Sequence, residues 1–263
     1  MRIIGLLSDF GIRDSYVAQM KAVILSKCPE VELLDISHEI GKFDVRMGAF
    51  VLASATSSFP KGSIYLAVVD PDVGSKRLPL IVESERSLYV GPDNGLLMLA
   101  AIKEGLRLVY RIDDQRYLKS TVSATFHGRD LFACVVGELA NDIPPAKIGT
   151  PVTDYVRVGF SKPIIDMSSI VCEVLHVDDF GNVIINVDAP ILREIGVELG
   201  KMLVMRMGRR QFRLLFVRSY SEIPEGMVGC LVGGHGFLEL AMRRKNLSKV
   251  IRAIPGSKLT IKL

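Results

Sequence analysis

A chain of 263 residues has room for one large or two moderate domains, each with its own core, and its 49% hydrophobic and 24% charged residues are those of an ordinary soluble globular protein. Its 33 basic and 29 acidic residues leave a net charge of only +4, which excludes a domain-wide cationic field for nucleic acid. The small basic clusters Arg206 to Arg213 and Arg243-Arg244-Lys245 read as solvated loop faces.

Residues 2–7 are a continuous apolar run closed by Ser8-Asp9-Phe10-Gly11, the pattern of a strand buried on both faces. From Ser15 to Lys27 the residues Val17, Met20, Val23 and Ile24 recur at helical spacing, with Asp14 as the expected N-cap. Val31 to Ile36 reads as a second strand, about Asp44 to Ser57 as a second helix, and Ser63 to Val69 as a third strand ending at Asp70. This alternation predicts a parallel sheet with crossover helices. Ligands of such sheets bind beyond the C-terminal ends of the strands, where Asp9 and Asp70 both fall. Either carboxylate also reads as the cap of a helix or turn.

Pro71-Asp72-Val73-Gly74-Ser75-Lys76-Arg77 is a turn, followed by short strands at Leu80–Val82 and Leu88–Val90. Gly91-Pro92-Asp93-Asn94-Gly95 then turns sharply into a helix from Leu96 to Lys103. That turn either offers backbone N–H groups to an anion or is turn chemistry alone. Thr125-Phe126-His127-Gly128-Arg129-Asp130 gathers an imidazole, a guanidinium and a carboxylate around a glycine, ahead of the apolar run Leu131 to Val136, which reads as a helix. His127 is either poised for chemistry at a helix start or a buried, hydrogen-bonded histidine, and Arg129 with Asp130 reads equally as a surface ion pair.

After about residue 150 the pattern changes to short strands: Ser169–Val177, Asn182–Val187, Lys201–Arg206, Phe212–Val217, Met227–Val232, Phe237–Met242 and Lys258–Leu263, with Ala189–Ile195 as the one expected helix. The expected fold is therefore of the α/β class. An N-terminal Rossmann-like domain, 1–162, has a largely parallel sheet and carries Asp9, Asp70, Arg77 and His127. A smaller β-rich, barrel-like domain, 163–263, begins near Pro163. Cys28, Cys134, Cys172 and Cys230 form no CxxC pair and read as free, buried thiols. The N-terminal apolar run is too short for a signal peptide or a membrane span, so the expected location is the cytoplasm, with no membrane partner.

Four stretches taken in register resemble one family: Ser8-Asp9-Phe10-Gly11, Val69 to Arg77, Thr125 to Asp130, and Asp178-Asp179-Phe180-Gly181-Asn182-Val183. Gly91 to Gly95 and Gly236 to Ala241 extend the likeness over nearly the whole chain. The family is that of the S-adenosyl-L-methionine hydrolases, or SAM hydroxide adenosyltransferases, relatives of the fluorinases and chlorinases. The resemblance implies attack of water on the ribose C5′ of S-adenosyl-L-methionine, releasing adenosine and L-methionine, with that molecule as substrate, no cofactor and no metal. It implies a catalytic trio of Asp70, Arg77 and His127, ribose contacts from Asp9, an adenine-edge contact from Asn182 and adenine stacking by Tyr220. Asp178 would meet the methionine ammonium, and His235 would lie at the methionine end. A homotrimer with inter-subunit sites is implied as well.

The chain departs from the family pattern at Asp72, usually glycine, at Leu78, often a second arginine, and at Arg243-Arg244-Lys245-Asn246, usually a small Gly- and Ser-rich loop. Gly233-Gly234 stands where relatives offer a serine. A carboxylate at Asp72 is a candidate partner for Lys76 or Arg77.

Joining a hydroxide-like nucleophile to a carbon beside a sulfonium neutralises charge, so a dry site favours it. Arg77 would stabilise the developing hydroxide, His127 would accept its proton directly or through a second water, and Asp70 would orient them. The rival readings are a chloride-using halogenase on the same substrate and a non-catalytic regulator that binds adenosine or the sulfonium. The fluorinases carry an inserted loop after the third strand that is absent between Leu78 and Tyr89 here, which favours hydrolysis. A metal-dependent phosphatase is the weakest alternative, because His38, His127, His176 and His235 show no ligand spacing.

Overall fold

The apolar run at the start of the chain becomes β1 (Arg2–Ser8), whose last five residues are buried between two layers. In this computed structural model, which describes residues 2–117 and 123–263, the chain divides into two compact units, Met1–Val158 and Gly159–Leu263. After β1 the first unit runs α1 (Tyr16–Lys27), β2 (Val31–Ser37), α2 (Val45–Ala55), β3 (Ile64–Val68), β4 (Pro79–Ser84), β5 (Leu88–Pro92), α3 (Met98–Lys103), β6 (Leu106–Ile112), α4 (Cys134–Ala140) and β7 (Gly149–Pro151).

These strands form one sheet in the order β2-β1-β3-β5-β4-β6-β7. β2, β1, β3 and β5 run parallel, and β4, β6 and β7 extend the sheet antiparallel. The parallel character is thus central. It ends where β4 and β5 are joined as a tight hairpin, which only antiparallel strands can make. One face is covered by Met20 and Ile24 of α1 with Val135, Val136 and Leu139 of α4. Leu52 and Ala53 of α2 with Met98, Ala100 and Ala101 of α3 cover the other.

Several boundaries differ from the sequence reading for local reasons. α1 is preceded by Ser15 rather than Asp14 at the N-cap, and the Ser15 hydroxyl accepts from Gln19 Nε2 at 2.7 Å instead of capping the backbone. Asp44 does cap α2, accepting from Met47 N at 2.8 Å, a bond worth about 1 kcal/mol. The end of the predicted second helix is a 3-10 turn, Thr56–Ser58. Leu96 and Leu97 belong to the turn before α3, because Asn94 Oδ1 accepts from Leu96 N at 3.2 Å. β6 and β7 lie outside the predicted set. Arg107 and Arg111 interrupt the apolar signal of β6, and β7 is a three-residue edge strand ending in Pro151.

The second unit contains β8 (Ile164–Asp166), β9 (Ser169–Val177), β10 (Val183–Asp188), α5 (Ala189–Glu194), β11 (Met202–Met207), β12 (Arg210–Phe216), β13 (Val228–Val232), β14 (Phe237–Met242), α6 (Leu247–Ile251) and β15 (Lys258–Lys262). Seven strands close a barrel in the order β9-β10-β14-β13-β12-β11-β15 and back to β9, and β8 adds to β9 outside the closed set. Val174, Ile185, Met205, Leu214, Cys230 and Leu240 fill its interior. α6 was not expected. Its five residues are too few to show a helical period, and Asn246 starts it by accepting from Lys249 N at 2.9 Å. The four cysteines are free, three of them buried and Cys134 half-buried. Among the described residues no helix is long and apolar enough to cross a membrane.

Candidate active site

β1 and β3 lie side by side with Ser8 opposite Val68, so Asp9 and Asp70 leave the same edge of the sheet just beyond the strand ends. From Asp70 the chain makes an exposed turn, passes through Gly74 at φ +82°, and brings Arg77 back to the start of β4. A side chain at residue 74 would be strained at that φ, and its Cβ would lie 2.7 Å from the Ala124 carbonyl. Glycine there lets the Asp70–Arg77 turn approach the loop that carries His127.

Arg77 grips Asp70 in a fork, Nε to Oδ1 at 2.9 Å and Nη2 to Oδ2 at 2.5 Å, with the two side chains only 8% and 6% exposed. The guanidinium also lies over the Phe132 ring, 5.2 Å from its centroid. The same Nη2 reaches His127 Nδ1 at 2.8 Å. Arg77 therefore touches both other residues of the expected trio. Asp72 is exposed, and Arg77 pairs with Asp70 rather than with it.

A guanidinium has donors only, so Nδ1 of His127 accepts, and the imidazole is neutral with its proton on Nε2. Burial lowers the pKa of His127 from its ordinary value, and the positive charge of Arg77 adds to the effect against the opposing pull of Asp70 and Asp130. The nitrogen able to take a proton is thus the one held by Arg77.

His127 stands at the entry of a π-helical segment, Gly128–Ala133, which leads into α4. Such a segment is a common way to present a side chain at a working site. Arg129 and Asp130 point into the loop itself. Arg129 Nε donates to Asp130 Oδ1 at 2.5 Å and Nη1 to Gln19 Oε1 at 2.7 Å, and Asp130 Oδ2 accepts from Ser123 N at 3.0 Å. Bonding to Arg129 holds the Asp130 carboxyl below its usual range.

Asp9 is 6% exposed, its Oδ2 accepts from Phe43 N at 2.9 Å, and its carbonyl accepts from Lys42 Nζ. Behind it runs a chain that the sequence did not announce, from the buried Ser8 and His38 out to Asp35 and Lys21 at the surface. Ser8 Oγ meets His38 Nδ1 at 2.7 Å, His38 Nε2 meets Asp35 Oδ1 at 3.0 Å, and Asp35 Oδ2 accepts from Lys21 Nζ at 2.6 Å. Ser8 has no exposed surface, so this Ser-His-Asp order braces the loop and presents no nucleophile.

The turn Gly91 to Gly95 is turn chemistry. Asn94 Nδ2 donates to Val69 O at 2.7 Å and Asp93 Oδ1 accepts from Val156 N at 2.8 Å. Burial raises the Asp93 pKa, and a carboxylate in that position is the opposite of an anion cradle.

In the second unit Asp178 and Asn182 are brought together. Asp178 Oδ1 accepts from Asn182 N at 2.8 Å and Oδ2 from Asn182 Nδ2 at 2.9 Å, which leaves the Asn182 amide oxygen and one N–H to offer elsewhere. Asn182, Tyr220, Phe180 and Met242 line a concavity of about 600 Å³, whose rim carries Arg243, Arg244 and Lys245. His235 has both ring nitrogens engaged: Nδ1 accepts from Phe237 N at 3.1 Å, and Nε2 meets Glu239 Oε2 at 3.2 Å. Glu239, absent from the predicted set, also accepts from Tyr220 Oη at 2.6 Å. Its signal in the sequence was a lone charge inside the apolar strand Phe237–Met242. Among the described residues no group of three or more His, Cys, Asp or Glu side chains is arranged to hold a metal ion.

Comparison with known proteins fits this geometry. The family model for the SAM hydroxide adenosyltransferase N-terminal domain matches residues 4–149, and that for the C-terminal domain matches residues 172–260. The chain is 34% identical to the (R)-S-adenosyl-L-methionine hydrolase of Methanocaldococcus jannaschii, over 95% of this chain and 91% of that protein. It is 36% identical to the enzyme of the same name from Thermus thermophilus, over 93% of each. Proteins named fluorinase stand further off, at 25% identity for that of Nocardia brasiliensis. The crystal structure of an uncharacterized conserved protein from Thermotoga maritima superposes with a TM-score of 0.93 at 31% identity, covering 98% of this chain and 99% of that one.

Proposed function

The chain belongs to the SAM hydroxide adenosyltransferase family, and from that premise we propose that it hydrolyses S-adenosyl-L-methionine to adenosine and L-methionine. The observation that carries the reading is the contact of Arg77 with both Asp70 and His127 beyond the strand ends where ligands of such sheets bind. The relatives named hydrolase specify the R-configured sulfonium, which makes that epimer the first to test.

In the proposed reaction a water oxygen bonds to ribose C5′ while the C5′–S bond breaks. Its electron pair passes to sulfur, which leaves as the neutral thioether of methionine, and one proton leaves the water. Arg77 supplies a fixed positive charge beside the nucleophile, in a site where burial keeps that charge poorly screened. His127, neutral with a proton on Nε2, acts as a hydrogen-bond donor that helps hold the hydroxide-like oxygen. Its Nδ1 becomes a base only if the Arg77 contact opens, so we assign proton acceptance to Asp70. That carboxylate keeps lone pairs beyond the two it gives to Arg77. A weak base suffices, because the attacking oxygen becomes strongly acidic as the new C–O bond forms.

Asp9 is assigned to the ribose hydroxyls, Asn182 and Tyr220 to adenine, and Asp178 to the methionine ammonium. His235 is assigned to the methionine end through its ring face, since its nitrogens are occupied. No cofactor or metal enters this scheme. The reading carries a homotrimer with inter-subunit sites, a cytoplasmic location and no nucleic-acid or membrane partner. Incubation of the pure protein with each sulfonium epimer in chloride buffer containing a chelator tests it. Adenosine and methionine in equal amounts support the proposal. 5′-Chloro-5′-deoxyadenosine would replace it with halogenation, loss of activity on chelation would remove the metal-free scheme, and binding without turnover would leave a regulator.

A further inference from the structure

We propose that Glu239 is a positioning residue that fixes Tyr220 and His235 together through one buried carboxylate, tying the adenine-facing ring to the methionine-end imidazole; this rests on the substrate assignment above. Glu239 is 4% exposed on β14, the only charged residue of a strand held between β10 and β13. A charge in such a place is strongly disfavoured unless each oxygen is occupied, and here each is. Oε1 accepts the Tyr220 hydroxyl at 2.6 Å. Oε2 lies 3.2 Å from His235 Nε2, and because Nδ1 already accepts from Phe237 N, the ring proton sits on Nε2 and is donated to the carboxylate.

Two further features show that this pair of bonds is built in. A Cβ on Gly233 would lie 2.6 Å from His235 Nε2 and 2.8 Å from Glu239 Oε2, so a glycine is what leaves room for the contact. Tyr220 stands on a single 3-10 turn, Tyr220–Glu222, and is 48% exposed, so the core does not set its ring orientation. The hydroxyl bond to Glu239 does, and it leaves the ring lining the concavity beside Asn182 and Met242. Burial alone would push the Glu239 carboxyl up, but the bonds from His235 and Tyr220 hold it below its ordinary value.

The donors impose a polarity that only a carboxylate satisfies. Glu239→Gln keeps an oxygen for Tyr220 but turns an N–H toward the His235 N–H. The test compares Glu239→Gln, Tyr220→Phe and the double variant, reading adenosine affinity by calorimetry together with KM and kcat for S-adenosyl-L-methionine. Glu239→Gln is expected to raise the adenosine Kd and KM about tenfold with kcat within about threefold, and the double variant to be no worse than the single one. Multiplying effects, or an unchanged Kd in Glu239→Gln, would overturn the proposal. If Glu239→Gln fails to fold, Tyr220→Phe against His235→Gln replaces it. Coupled losses then support the shared carboxylate and independent losses overturn it. A wild type that binds adenosine without releasing it from the sulfonium defeats the hydrolase reading while the Kd comparison still decides Glu239; a wild type that binds no adenosine defeats both.

Discussion

His127 accepts a hydrogen bond from Arg77: Nη2 stands 2.8 Å from Nδ1 while Nε and the same Nη2 clamp Asp70. The histidine is therefore an oriented donor through Nε2, and in the proposed reaction the trio acts through the charge and geometry of Arg77.

Replacement of Arg77 by Lys keeps the charge and loses the fork, since an ammonium cannot bond both Asp70 oxygens and His127 from one rigid plane. Arg77→Lys is expected to lower kcat by about 100-fold with KM changed much less. Asp70→Asn, which removes both the partner of a buried guanidinium and the proposed proton acceptor, is expected to lower it by about 100- to 1000-fold. Steady-state assays of adenosine release check both. A variant of either kind within tenfold of wild type would contradict the roles given.

The pH profile follows from the lowered pKa of His127. In the proposed reaction the neutral form is the working one, so kcat/KM is expected to be level from neutral pH down to 6.5, the ordinary value, and to fall only below it. Between 6.5 and the lowered value the unfolded chain binds a proton that the folded chain refuses. Stability therefore declines as pH falls through that window, and this group contributes no further change below it. Rate profiles and thermal melts measured across the acid range report the two effects separately.

Gly74→Ala tests the close approach of the two active loops. The residue has φ +82°, and an added Cβ would sit 2.7 Å from Ala124 O. The variant is expected to lose about 1–2 kcal/mol of stability from backbone strain and at least about tenfold in kcat as Arg77 shifts from His127. Gly62→Ala is the control. Its φ is +89° with no atom within 4 Å of the new Cβ, so the same kind of strain is expected with no loss of rate.

Arg129 and Asp130 stand beside the trio in sequence but hold the loop together. With its side chain 34% exposed, the Arg129 ion pair is solvent-screened. Arg129→Ala is expected to lower Tm by about 2–4 °C and to leave kcat within about threefold. A loss of activity on the scale of Arg77→Lys would move Arg129 into the reacting group.

The proposed homotrimer is checked by sedimentation at assay concentration, with a mass about three times that of the chain expected and a monomer that retains full activity contradicting it.

The first five elements were legible because their signals are local. Residues 3–7 of β1 and the whole of β3 are apolar runs, and α1 shows its period through Val17, Met20 and Ile24. The trio residues could be named from their motifs, but which nitrogen of His127 faces Arg77 depends on how three separate loops meet, and no spacing encodes that. β6 was hidden because Arg107 and Arg111 face outward from it, and α6 because five residues hold little more than one turn. Glu239 was visible as a misplaced charge, yet its partners Tyr220 and His235 come from different segments that only the closed barrel brings together. The Ser8, His38 and Asp35 chain was hidden for the same reason, since its members come from β1, β2 and the loop after β2.

The central claim is that water attacks C5′ of the sulfonium substrate. Mass spectrometry of the products formed in oxygen-18 water tests it directly. The account predicts adenosine carrying one heavy oxygen at its 5′ position and unlabelled methionine, whereas unlabelled adenosine, label in methionine, or a halogenated nucleoside would contradict it.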